Sequence, residues 1–67
     1  MWVIYDHPSD YPNAWVVREW KIADEPVAMP NVIIAKSLKA ARAAIPPGLF
    51  CMPRWQGDDP AVVEVWL

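Results

Sequence analysis

Asn31-Val32-Ile33-Ile34-Ala35-Lys36-Ser37-Leu38-Lys39-Ala40-Ala41-Arg42-Ala43-Ala44-Ile45-Pro46-Pro47-Gly48 is the stretch on which the fold turns. Two readings compete. Asn31 could cap one helix from Val32 to Ile45, because Ile34, Leu38, Ala41 and Ile45 recur at helical spacing on one face. Alternatively Val32-Ile33-Ile34-Ala35, short and β-branched, is a buried strand, Ser37 is an N-cap, and Leu38 to Ile45 is a short alanine-rich helix. The second reading is the better supported, since it uses each residue type where its propensity is highest. Pro46-Pro47-Gly48 ends the helix in both.

Outward from this stretch the pattern is that of strands. Trp2-Val3-Ile4-Tyr5 opens as one, with β-branched and aromatic residues and no helix start. Asp6 to Asn13 is dense in turn formers, and its two prolines remove backbone donors, so it reads as an ordered loop. Ala14 to Ile22 is the return strand of a hairpin, with Val16, Arg18, Trp20 and Ile22 on one face and Trp15, Val17, Glu19 and Lys21 on the other. Asp24-Glu25-Pro26 ends it, and Pro30-Asn31 reads as a second break. Leu49 to Gln56 is irregular, Gly57-Asp58-Asp59-Pro60 is a turn, and Ala61 to Leu67 is a last strand. Its alternation puts Val63, Val65 and Leu67 on one face and Val62, Glu64 and Trp66 on the other. The expectation is one α+β domain over residues 1–67: a three- to four-stranded, mainly antiparallel sheet with one short helix on one face.

With 67 residues the chain has room for one small core. Chains of about 60 residues bury only roughly 60% of their unfolded surface and commonly need a staple. Cys51 is the only cysteine and His7 the only histidine, so an intrachain disulfide is impossible and no metal-ligand spacing exists. No cofactor is expected. Oligomerisation is the staple left, and a homodimer is the expected state. At 55% apolar and 21% charged residues the chain is globular rather than disordered. It has no apolar run long enough for a membrane span and no basic secretory leader, which with the lone cysteine points to the cytoplasm.

The five tryptophans, Trp2, Trp15, Trp20, Trp55 and Trp66, exceed what so small an interior can bury fully. Tyr11, Trp15, Trp20, Trp55 and Trp66 are therefore the candidate protein-contact residues, since Trp and Tyr combine large area with a polar handle. Charge is uneven around a net of −2: residues 1–30 carry −3, residues 31–54 carry +4, and residues 55–67 carry −3. Lys36, Lys39 and Arg42 at i, i+3, i+6 could form a phosphate-contacting stripe, with Arg54 as a fourth charge. Overall acidity argues against nucleic acid as the partner.

Catalytic parts are not assembled. His7 with Asp6 or Asp10 and Ser9 offers acid/base and nucleophile types, but sequence neighbours seldom form a triad, and the same residues are ordinary turn formers. Asp58-Asp59 could be half of a hard-cation site, yet no loop of alternating acids accompanies it. Cys51, between Phe50 and Met52, reads as a buried structural thiol.

The opening Trp-Val-Ile-Tyr, the helix tail Ala-Arg-Ala-Ala-Ile-Pro-Pro-Gly and the closing Asp-Asp-Pro-Ala-Val-Val-Glu-Val-Trp-Leu resemble small uncharacterised bacterial or prophage-borne proteins. That resemblance carries no catalytic motif and implies no site residue. Function is thus expected to be binding without chemistry: a small protein-interaction module. Phosphate or nucleic-acid binding by the basic helix face is the alternative.

Overall fold

The computed structural model describes residues 1–21, 24–25, 27–52 and 60–67. Five strands, β1 (Trp2–Asp6), β2 (Trp15–Lys21), β3 (Val27–Ala35), β4 (Cys51–Met52) and β5 (Val62–Trp66), and one helix, α1 (Leu38–Ala43), follow in the order β1-β2-β3-α1-β4-β5. They form one sheet, ordered β3-β2-β1-β5-β4, in which all neighbours are antiparallel. The β1–β2 hairpin is the centre. The segment containing α1 carries the chain from one sheet edge to the other, and the helix packs over β3, β2 and β1.

The strand-then-helix reading of residues 31–48 holds. Ser37 is extended and its Oγ accepts the Ala40 N–H at 3.1 Å, capping α1. Gly48, at φ +88°, makes the left-handed turn that leads back toward the sheet.

Two stretches of strand go beyond expectation, and the second adds a fifth strand to the three or four expected. The first is the N-terminal half of β3, which runs through the supposed break at Pro30. Arg18 lies opposite Val32 and Trp20 opposite Ala28, so β3 carries two extra residues around Glu19. Pro30 sits in that irregularity on the outermost strand, where its missing N–H leaves no ladder bond unmade. The second is β4, two residues paired with β5, extended by the reciprocal backbone bonds Phe50 N to Leu67 O (2.9 Å) and Leu67 N to Phe50 O (3.0 Å). Residues 53–56 of the stretch read as irregular lie outside the described residues.

Residues opposite one another in the ladder share a face. Trp2, Ile4, Trp15, Val17, Ile33, Ala35, Glu64 and Trp66 lie on the helix side. Val3, Tyr5, Val16, Arg18, Trp20, Val32, Ile34 and Val65 lie on the other. Val62 joins this second group: a register shift sets it opposite Tyr5, correcting the alternation that placed it with Glu64 and Trp66.

On the helix side Ile4, Val17, Ala35 and Ala41 form the buried cluster. The helix contributes only a methyl group at its buried position, Ala41. Trp2, Trp15 and Trp66 from the strands, with Leu38 and Ile45, fill the space that a two-turn helix leaves. The abundance of tryptophan is thus largely a packing solution for a thin domain. Each fully buried aliphatic side chain contributes about 1.5–3 kcal/mol, and there are few of them.

Candidate interaction surfaces

The expected contact residues divide by face. Trp15 and Trp66 are half-buried against the helix-side cluster, and Trp66 Nε1 donates to Glu64 Oε1 at 3.3 Å. Trp20 stands on the opposite face, where its Nε1 donates to the Tyr5 hydroxyl at 3.0 Å. Tyr11 is exposed in the β1–β2 loop. Trp55 and Arg54 lie outside the described residues, as do Asp58 and Asp59.

The basic stripe is not uniform. Lys36 and Lys39 are exposed, but the Arg42 guanidinium is engaged by Glu64 of β5, with Nε 3.0 Å from Oε1 and 3.2 Å from Oε2. The hydrogen bonds from Arg42 are the main reason the Glu64 carboxyl is held below the ordinary carboxylate range, and they raise Arg42 in turn. One cation of the stripe is thereby committed inside the fold.

Cys51 is exposed on edge strand β4, not buried. The strand is two residues long, and nothing in the sequence around it disclosed that it lies at an edge. Residual desolvation, followed by the charge of Glu64, raises its thiol above the ordinary value, the opposite of an activated nucleophile.

In the loop, His7 adopts a left-handed φ of 49°, its Nδ1 contacts Asp6 Oδ1, and its ring meets the Trp15 ring edge-on at 5.7 Å. Backbone bonds from Tyr11 N to Pro8 O (2.9 Å), Ala14 N to Tyr11 O (3.2 Å) and His7 N to Ala14 O (3.0 Å) order the turn. Ser9 and Asp10 occupy its two central positions. They do not join His7 in a triad-like cluster; instead they wall a cleft of about 440 Å³ on the face opposite the helix. Tyr5, Val16, Arg18 and Trp20 also line it, with Ala28 and Ala61 at its sides. Among the described residues Arg18 and Asp10 are its only charged groups. Sequence reasoning missed this cleft, because its signal is the spatial return of a loop over Arg18 and Trp20.

Apolar residues are exposed at both sheet edges. Ile33 and Ile34 of β3 are 41% and 52% exposed, and Val27 is exposed at the start of the same strand. Phe50, Met52 and Leu67 are exposed around β4, Phe50 at 80%. Among the described residues no helix is long and apolar enough to cross a membrane, and no group of three or more His, Cys, Asp or Glu could hold a metal ion.

Fold and surface define a small antiparallel α+β domain with apolar residues exposed at both sheet edges and a polar-lined cleft. No family model matches the chain, and neither a curated protein nor a solved structure matches it.

Proposed function

We propose that the protein is a small non-catalytic interaction module that works as a homodimer, joined edge to edge along β3. The exposure of Ile33 and Ile34 carries this reading. They are consecutive residues on opposite faces of the outermost strand, so each face of that edge leaves an apolar side chain partly exposed. An open strand edge presents unpaired backbone groups to another strand. Pro30 interrupts pairing along the first half of β3 and leaves Val32–Ala35 as the free segment. β3 contains no charged residue, so a two-fold copy laid antiparallel against it meets no like-charge repulsion.

The small core supports the same conclusion, since a chain of this length gains most from burying a second apolar surface. The module acts in the cytoplasm, where an exposed unpaired thiol such as Cys51 stays reduced.

Sedimentation equilibrium over a concentration series at two salt levels tests the proposal. The expected result is a dimer insensitive to salt, as an apolar and backbone-bonded interface should be, and a folded monomer for Ile34→Lys. A wild-type monomer at high concentration would overturn the dimer. A dimer that survives Ile34→Lys unchanged would move the interface off β3.

A further inference from the structure

We infer that the cleft opposite the helix is a binding site for a small zwitterion of the α-amino-acid class with an apolar side chain, its carboxylate on Arg18 and its ammonium on Asp10. Arg18 rises from the middle of β2 with its side chain only 23% exposed. A guanidinium has five N–H donors, yet among the described residues Arg18 makes two long contacts. Nη1 reaches Met29 O at 3.5 Å, and Nη2 stands 3.8 Å from Asp10 Oδ2, beyond hydrogen-bond range. The two opposite charges are therefore near neighbours without satisfying each other.

That spacing selects the ligand. A simple anion would be drawn to Arg18 but repelled by the Asp10 carboxylate, and a simple cation the reverse. A molecule carrying both charges on adjacent carbons bridges the pair, closing each gap with a short charge-assisted bond. Beside Ser9 and Tyr5, Val16 and the Trp20 indole offer an apolar surface for a side chain, and Trp20 is fixed in place by its bond to Tyr5. The volume of about 440 Å³ falls at the small end of ligand sites. The turn that carries Asp10 is held by its own backbone bonds, so the site is formed before a ligand arrives.

The test is an amide-resolved NMR titration of the full chain with L-phenylalanine, 3-phenylpropionate, which lacks the ammonium, and phenethylamine, which lacks the carboxylate. For L-phenylalanine we expect saturable shifts at the Trp20 indole and residues 9–18, with a Kd on the order of 1 mM for so small a ligand. Each singly charged analogue should bind about tenfold more weakly. Asp10→Asn, at an exposed loop position, should weaken L-phenylalanine about tenfold and leave 3-phenylpropionate unchanged or tighter. Arg18→Met should abolish both. Absence of saturable shifts with L-phenylalanine up to about 20 mM would overturn the inference. So would equal binding of the three compounds, or an Asp10→Asn variant with unaltered preference. If Arg18→Met loses its native spectrum, Asp10→Asn decides alone.

Discussion

The two faces of the sheet are built from the same alternation yet solve different problems. On the helix side Ile4, Val17, Ala35 and Ala41 are sealed by α1 and by the indoles of Trp2, Trp15 and Trp66, while Ser37 and the Arg42–Glu64 pair hold the helix at the margin. On the opposite side Val3, Val16 and Val62 are also buried, but beside Arg18, Tyr5 and Trp20, whose polar atoms must find partners. Where a helix covers the sheet, apolar volume decides stability. Without it, hydrogen bonds hold large side chains in place, and a polar-lined cleft can persist between them.

Adjacent residues of β1 allow the sharpest attack on this comparison, because Ile4 and Tyr5 point to opposite faces. Ile4→Ala should be the most damaging of the substitutions considered, at about 2–5 kcal/mol, since it leaves a cavity in a fully buried site. A domain of this length has on the order of 3–10 kcal/mol in total. Urea unfolding should therefore show a large fall in midpoint, or no folded baseline at all. Tyr5→Phe keeps the ring and removes the acceptor for Trp20 Nε1, so about 1 kcal/mol is expected. It should also change the Trp20 indole N–H resonance. Equal costs for the two variants would break the distinction between a packed face and a hydrogen-bonded one.

Much of this arrangement was legible in the residues. The hairpin, the Ser37 cap, the helix after a β-branched strand and the side assignments along β2 all follow from period-two alternation and capping chemistry. What escaped was non-local. Pro30 argues against a strand unless that strand is known to be at an edge, and edge position is a property of the whole sheet. A two-residue strand such as β4 exists only because β5 is beside it. The shift that turns Val62 toward Tyr5 is one residue of irregularity in an otherwise regular run. The cleft failed to show for the same reason: Ser9 and Asp10 looked like turn residues, which they are, while the arginine they meet is eight residues further along in Arg18.

The margin of the helix side gives the smallest expected effect and the one whose sign is best defined. Glu64 lies on the helix side opposite Ile4, with its side chain 13% exposed, and Arg42 reaches it from α1. The hydrogen bonds from Arg42, helped by that from Trp66 Nε1, depress the carboxyl in the folded state relative to an unfolded value of about 4.3. A depressed folded value means that this stabilisation is fully present above the unfolded value. It is lost as pH falls through the folded one, when the carboxylate takes up a proton and Arg42 loses its partner. Arg42 stays charged throughout, so the dependence belongs to Glu64. Because the guanidinium is half exposed, salt should weaken the effect. Urea midpoints measured from about pH 6 down to about pH 3 should decline, and Glu64→Gln should flatten part of that decline while lowering the midpoint at neutral pH. If wild type and Glu64→Gln follow parallel curves, the pair ties nothing, and the helix is held over the sheet by the apolar cluster alone.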